Sequence, residues 1–167
     1  SASMAGHLRL GKLIYLYDSN KISIDGSTDL AFTDDTKKRF EAYGWDVQQI
    51  DGHNHKEIED AIKVAQQTDT PSLIECKTKI GFGSPNKEGT AASHGSPLGE
   101  DEIKLTREQL GWPYDEPFFI PDEVKEKMQK AVDKGEKSES IWQDRVRDFQ
   151  EKYPAEGVLF KSFVNRE

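Results

Sequence analysis

Oxygen-bearing side chains are concentrated in one short segment of this sequence, between Asp18 and Gly26. The segment reads Asp-Ser-Asn-Lys-Ile-Ser-Ile-Asp-Gly, and its carboxylate, amide and hydroxyl oxygens suit a hard cation such as Mg²⁺ or Ca²⁺. An EF-hand loop is excluded, because Ile22 and Ser23 stand where that loop needs an oxygen ligand and a glycine. Asp and Asn also form hydrogen-bonded turns without any ion. The residues alone therefore leave a cation site and a simple turn as alternatives.

A second segment with chemical potential is the glycine-rich stretch 81–99, which carries His94. Its backbone N–H groups, hydroxyls and imidazole are suited to a phosphate, although it matches neither the P-loop nor the dinucleotide-binding pattern. A mobile connector is the alternative. Asn86 and Lys87 could also contact a phosphate, but an exposed loop lysine is the simpler interpretation.

The remaining histidines and the single cysteine are interpreted as structural. His7, His53 and His55 are predicted to be surface or capping residues, with the latter two at a helix start on the far side of the sheet. Cys76 excludes an internal disulfide and a multi-cysteine metal site. Its apolar neighbours predict a small core residue.

The elements that must position these residues follow from hydrophobic periodicity. Short apolar runs predict strands at 13–18, 45–50 and 72–78, the first of them buried. Helical periodicity and capping residues predict intervening helices at 34–43 and 54–65. This alternation predicts an α/β fold with a parallel sheet and flanking helices.

Ligands of such folds bind beyond the carboxyl ends of the strands, where residues 18–20 and 81–99 emerge. A short helix is predicted at about 100–110. A charged helical tail is predicted from Asp122 onward.

Composition excludes several classes of function. The net charge of −8 opposes a nucleic-acid-binding protein, which concentrates Lys and Arg against phosphates. No apolar run reaches the roughly 18–20 residues that span a bilayer, so we expect no membrane insertion and a cytoplasmic location. Only 34% of the residues are apolar, which predicts a modest core or burial against a partner.

Six motifs in order resemble the bacterial and plant-type transketolases, over about residues 5–121. They read Asp-Ser-Asn-Lys-Ile-Ser-Ile-Asp-Gly, Phe-Thr-Asp-Asp-Thr, Phe-Glu-Ala-Tyr-Gly-Trp, Ile-Asp-Gly-His, Lys-Thr-Lys-Ile-Gly-Phe-Gly-Ser-Pro-Asn-Lys and Ser-His-Gly-Ser-Pro-Leu-Gly. The resemblance implies that residues 1–121 are the later part of a diphosphate-binding domain. Residues 122–167 would be a helical segment leading to a second domain.

The resemblance also implies an activity: transfer of a two-carbon ketol unit from a ketose phosphate to an aldose phosphate, with thiamine diphosphate and Mg²⁺ or Ca²⁺ as cofactors. Such enzymes act in the pentose phosphate pathway and the Calvin cycle, as homodimers with sites between subunits. The expected location is the cytoplasm, or the plastid stroma in a photosynthetic eukaryote.

Mapped residue by residue, the resemblance implies that the Asn20 side chain and the Ile22 carbonyl bind the divalent ion. Ile24 and Ile80 would be apolar contacts to the thiazolium region. His94 would reach the diphosphate and the substrate side of the cleft, as a cofactor-binding and catalytic residue.

Two parts of the family pattern have no counterpart here. The sequence contains no Gly-Asp-Gly, whose aspartate binds the metal, and it lacks the second domain, whose glutamate activates the cofactor. We therefore expect an incomplete piece, beginning inside a domain, that is inactive alone. The alternatives are a non-catalytic fragment or split subunit acting as a cofactor-binding and assembly module, and a relative of 1-deoxyxylulose-5-phosphate synthase. The continuous glycine-rich loop favours transketolase over the synthase.

Overall fold

The computed structural model describes residues 1–166, which divide into two compact units meeting at Pro113 and Tyr114. The elements of the first unit, in chain order, are α1 (Ala2–His7), β1 (Ile14–Ser19), β2 (Ile22–Ser23), β3 (Gly26–Ser27), α2 (Thr36–Ala42), β4 (Asp46–Asp51), α3 (His55–Ala65), β5 (Ser72–Lys77) and α4 (Glu100–Leu110). Short 3-10 helices lie at Thr28–Leu30 and Ala91–Ser93.

The main sheet is parallel and has the order β1-β5-β4. Ser72, at the start of β5, is opposed by Ile14 on one side and by Asp46 on the other. All three strands therefore end at the same edge. The predicted α/β fold with a parallel sheet is confirmed, and its last strand occupies the centre.

Helices cover the sheet on both faces. Ala61 and Ala65 of α3 pack on Ile74 and Cys76 of β5 on one face. On the other face, residues of α1 and α2 pack around Trp45 and Leu73. Cys76 is a core residue, as predicted; burial and then the charge of Asp18 raise the pKa of its thiol.

The prediction that the first strand is buried was wrong for part of β1. Tyr15 and Leu16 are about half exposed, at 52% and 53%. Within residues 1–166, β1 pairs only with β5, so its outer side carries no strand. An apolar run gives no information about whether a strand has one neighbour or two.

Local capping explains where the helices begin and end. The Asn54 side chain accepts hydrogen bonds from Lys56 N and Glu57 N at the start of α3, and Asp35 caps α2 through Lys38 N. Gly44 adopts a left-handed φ of 82° directly after α2. The helix predicted at 100–110 has those bounds in the structure.

The second unit contains two helices, α5 (Asp122–Lys152) and α6 (Pro154–Asn165). They pack through aromatic contacts of Phe160 with Trp142 and Phe149. The predicted helical tail is confirmed, and Pro154 begins its second helix. In the part of the chain that the structure describes, no helix is both long and apolar enough to cross a membrane.

Candidate functional site

The carboxyl edge of the sheet brings together the segments that follow β1 and β5. Thr78 N donates a 3.4 Å hydrogen bond to Ser19 O, and the Thr78 hydroxyl is hydrogen-bonded to the Asp18 carboxylate. Asn20 and Ile80 lie a few residues beyond these contacts, on adjacent strand ends. The parallel topology thus places the oxygen-rich segment beside the glycine-rich loop.

Asn20 forms a hydrogen-bonded turn. Its Oδ1 accepts a 3.0 Å hydrogen bond from Ile22 N, while Lys21 adopts a left-handed φ of 64°. β2 and β3 then form a small antiparallel hairpin, in which Ser23 pairs with Gly26. The turn alternative is therefore realised. It leaves a cation site open, because an amide oxygen has a second lone pair.

The two isoleucines of this hairpin are exposed to different degrees. Ile22 is half-buried, whereas Ile24 is 72% exposed. An exposed isoleucine at the site edge is available for contact with an apolar group. Ile22 is relevant through its backbone carbonyl, which requires no exposure of the side chain.

The 81–99 loop is held by many hydrogen bonds and is not a loosely tethered connector. Gly89 N donates to Ile80 O at 2.8 Å, and Ser93 Oγ donates to Lys87 O at 2.7 Å. A side-chain carbon on Gly81, whose φ is 64°, would approach Ser93 Oγ to 2.6 Å. This close approach places Ser93, and therefore the adjacent His94, next to the beginning of the loop.

His94 follows the short 3-10 helix, and its side chain is exposed. Its backbone N–H donates to Ala91 O at 3.0 Å. Among residues 1–166, no hydrogen bond joins Asn20 or Ile22 to His94. The structure therefore brings Asn20 and Ile22 together, and it separately places Ile80 near the segment that carries His94. Both pairs lie at the carboxyl edge of the sheet, and no hydrogen bond joins one pair to the other among the described residues.

Asn86 and Lys87 both have structural partners, on α4 and within the loop respectively. The Lys87 ammonium donates a 2.7 Å hydrogen bond to Leu98 O, and this residue is half-buried. The interpretation of Lys87 as an exposed loop lysine was wrong. Asn86 donates through both its backbone N and its side-chain Nδ2 to Glu102, each at 2.9 Å.

Glu102 was not recognised in the sequence. It lies in the first turn of α4, is 8% exposed, and also accepts a hydrogen bond from the Ser84 hydroxyl. The Ser84 hydroxyl, and then the two amide donors of Asn86, hold the pKa of Glu102 below its ordinary value of 4.5. The only sequence signal was an acidic residue near a helix start, which helix electrostatics explain without any loop contact.

His53 lies at the site edge, so the prediction that it lies on the far side of the sheet was wrong. Its Nε2 accepts a 2.9 Å hydrogen bond from Lys79 N, and its ring stacks on Phe82 at 4.0 Å. Because β4 is parallel to β5, the turn after β4 opens at the same edge as the glycine-rich loop. His7 and His55 are exposed, as predicted, but His55 begins α3 directly after this turn, so its predicted position on the far side of the sheet was also wrong.

The oxygen donors at Asn20 and Ile22 meet part of the coordination that a divalent cation requires. Within residues 1–166, no three His, Cys, Asp or Glu side chains are grouped to hold a metal. Asn20 Oδ1 and the Ile22 carbonyl are hard oxygen donors on one turn, which fits an ion that takes its remaining oxygens from a phosphorylated ligand and other groups. Such an incomplete oxygen set suits a bridging ion better than a closed protein site.

The fold and this edge define a parallel α/β domain of the class that binds its ligand beyond the carboxyl ends of the strands. Comparison with known families specifies the class further. The family model described as the thiamine diphosphate-binding domain of transketolase matches residues 1–167. The chain belongs to this family.

Curated relatives are similar over nearly the whole chain. The transketolase of Nostoc sp. is 51% identical over 171 residues, covering 99% of this chain and 25% of the relative. Transketolase 1 of Escherichia coli is 54% identical over 160 residues, covering 95% of this chain and 24% of the relative. The chain thus spans about a quarter of the length of these relatives.

Solved structures show the same backbone arrangement. The transketolase of Campylobacter jejuni superposes with a TM-score of 0.84 at 38% identity, over 99% of this chain and 26% of that one. The transketolase of Pichia stipitis, in complex with sedoheptulose 7-phosphate, gives a TM-score of 0.82 at 38% identity, over 96% of this chain and 24% of that one.

Proposed function

We propose that this chain supplies the edge of a thiamine diphosphate site that holds the cofactor's diphosphate and a divalent cation, Mg²⁺ or Ca²⁺. The parent enzyme would be a transketolase, which transfers a two-carbon ketol unit from a ketose phosphate to an aldose phosphate. One observation carries the proposal: Asn20 and Ile80 leave adjacent strands at the carboxyl edge of a chain whose whole length matches the family's cofactor-binding domain.

In this proposal, Asn20 and Ile22 bind the cation through oxygen. The Asn20 turn keeps Oδ1 near the Ile22 backbone, so both donors can be presented from one rigid segment. A dication held there neutralises diphosphate charge and fixes the pose of the ligand. The remaining coordination would come from diphosphate oxygens and from protein outside this chain.

His94 is proposed to act as a catalytic and cofactor-binding group. Its exposed imidazole can donate a hydrogen bond to a diphosphate oxygen or transfer a proton on the substrate side. Ile24 and Ile80 would provide apolar contacts near the thiazolium ring. That ring, when the cofactor is bound, supplies the carbon nucleophile of the reaction, while protein groups orient it.

Substrates and partners of the parent protein are part of the proposal. The Pichia stipitis transketolase binds sedoheptulose 7-phosphate, which supports sugar phosphates as substrates here. We propose a homodimeric parent that acts in the pentose phosphate pathway or the Calvin cycle. A chloroplastic relative from Craterostigma plantagineum, 48% identical, supports the plastid stroma as a location in addition to the cytoplasm.

Titration calorimetry with thiamine diphosphate and Mg²⁺ tests the binding role. Asn20→Ala and His94→Ala should each weaken metal-dependent binding by about tenfold or more, because each removes a contact to a charged group. His55→Ala, which changes an exposed histidine on α3, is the matched control. Equal affinity in all four proteins would contradict the assigned residues.

Within residues 1–166, no three His, Cys, Asp or Glu side chains are grouped to hold a metal, which favours a second candidate, a cofactor-binding and assembly module without catalysis of its own. Ketol transfer between sugar phosphates distinguishes the two functions. We expect transfer from an assembly that supplies the remaining domains and none from the 167-residue chain. An assembly that binds cofactor but transfers no ketol unit would support the module.

A further inference from the structure

We propose that Glu102 is a positioning residue for His94, acting through Ser84 and Asn86 on the loop that carries this histidine. The inference rests on the proposed role of His94 in cofactor binding. Glu102 belongs to α4 and makes no ligand contact in the proposal. Its effect would be to fix the loop before a ligand arrives.

The contacts of Glu102 are directed entirely at the beginning of the loop. One carboxylate oxygen accepts from the Ser84 hydroxyl and from Asn86 N at 2.9 Å. The other accepts from Asn86 Nδ2 at 2.9 Å. Ser84 is 2% exposed, so removal of this acceptor would leave buried or partly buried donors without a partner, which is costly.

Lys87 carries this constraint to both sides of His94. Its backbone N donates to Ser84 Oγ at 3.2 Å, and its carbonyl accepts from Ser93 Oγ at 2.7 Å. Its ammonium donates to Leu98 O at 2.7 Å. The residue before His94 and a residue shortly after it are therefore both tied to Lys87, and Lys87 is tied to Glu102 through Ser84.

Helix electrostatics alone do not account for Glu102. Acidic residues stabilise the first turn of a helix, but Glu100 and Asp101 already occupy this turn and are exposed. Only Glu102 is buried and aimed at the loop. A preorganised loop binds its ligand with less loss of conformational entropy, which is the advantage that we assign to this residue.

An exchange of chemical groups between residues 86 and 102 tests the contact itself. Asn86→Asp places two carboxylates against each other and should loosen the loop. Adding Glu102→Gln restores a donor opposite an acceptor, because the new amide at position 102 can donate to the new carboxylate at position 86. The same amide group still accepts, through its oxygen, from the residue 86 backbone and Ser84. The double variant should therefore recover the loop order that Asn86→Asp loses. Glu102→Ala removes both acceptor oxygens, so a change at residue 86 should not restore loop order in that variant.

Three measurements report on the loop. Hydrogen exchange at the amides of Gly89 and Ser93 reports loop order, NMR signals of the His94 ring report its environment, and calorimetry reports affinity for thiamine diphosphate with Mg²⁺. We expect Glu102→Ala and Asn86→Asp to accelerate exchange about tenfold or more, to shift the His94 signals and to weaken binding. Asp101→Asn, at an exposed neighbour, is the control and should change none of these.

The outcomes separate this inference from the proposed function. Unchanged loop exchange and His94 signals in Asn86→Asp, or no recovery in the double variant while β5 amides stay protected, would overturn the positioning role. Wild-type chain that binds no cofactor would contradict the proposed binding site. In that case, hydrogen exchange in the loop and the NMR signals of His94 would still decide whether Glu102 fixes the loop.

Discussion

The backbone N–H of Lys79 donates a 2.9 Å hydrogen bond to Nε2 of His53, joining two turns that are 26 residues apart in sequence. The bond requires Nε2 to carry no proton. The His53 ring also stacks on Phe82, with centroids 4.0 Å apart and planes 17° apart. The turn after β4 thus holds the start of the loop that follows β5.

Replacement of His53 by alanine should loosen the start of this loop while leaving the sheet intact. The Lys79 N–H would lose its acceptor and Phe82 its stacking partner, at a cost of about 1 kcal/mol in the free energy of unfolding. Hydrogen exchange at the Lys79 amide should accelerate, with β5 amides unchanged. His55→Ala is the matched control, and equal exchange at Lys79 in both variants would contradict this role.

Acid should open the same loop through Glu88. The Gly83 backbone N–H and then the Lys79 ammonium hold the pKa of Glu88 below its ordinary value of 4.5. A carboxyl group whose pKa is lower in the folded state contributes stability above the unfolded pKa, and that contribution is lost as pH falls through the folded pKa. We therefore expect loop exchange to accelerate, after correction for intrinsic rates, as pH falls below the ordinary value of 4.5.

Glu88→Gln provides the comparison for this pH dependence. The variant keeps an oxygen for Gly83 N but loses the charge that pairs with Lys79. At neutral pH, its loop should already exchange faster than that of the wild type, and its exchange should change less with acid. Parallel pH profiles for the two proteins would show that another group controls the loop.

The structure shows which features a sequence of this kind can reveal. The helix that begins after Asn54 was predictable because its capping residue and its periodicity act over a few neighbouring positions. The helix that begins at Glu100 has no side-chain cap at its start, but it ends at a left-handed glycine, Gly111. The edge position of β1 and the partner of His53 depend on contacts between distant segments. Periodicity carries no information about those contacts.

The residues of the candidate site also differ in whether the sequence alone reveals them. Asn20 and His94 stand out because their residue types and motifs carry chemistry, whereas Glu102 looks like an ordinary acidic residue of a first helical turn. Its role depends on the return of the loop to α4 at Ser84 and Asn86. Only the folded chain brings these residues together.

Ile74 should be the most sensitive core position tested by truncation. It lies in the central strand, is 0% exposed, and packs with Ala61 and Ala65 of α3. Ile74→Ala should lower the free energy of unfolding by about 2–5 kcal/mol, through lost burial and a residual cavity. Urea denaturation measures this value. Val64→Ala, on the exposed side of α3, is the control and should cost much less.

The outer edge of β1 should make the 167-residue chain prone to self-association. Within residues 1–166 that edge pairs with no strand, and Tyr15 and Leu16 beside it are about half exposed. Unpaired N–H and C=O groups next to apolar side chains form a template for another strand. The apparent molar mass measured by light scattering should therefore increase with protein concentration.

A lysine at this edge tests whether strand pairing causes the association. Leu16→Lys should reduce scattering, because a charge at an exposed edge disfavours the approach of a second strand. Val64→Lys introduces the same charge at a residue that is also about half exposed, at 52%, but lies on α3. Equal solubilisation by both variants would indicate a general effect of charge. A soluble wild-type monomer that melts cooperatively would contradict the prediction, because the open edge of β1 would then require no partner.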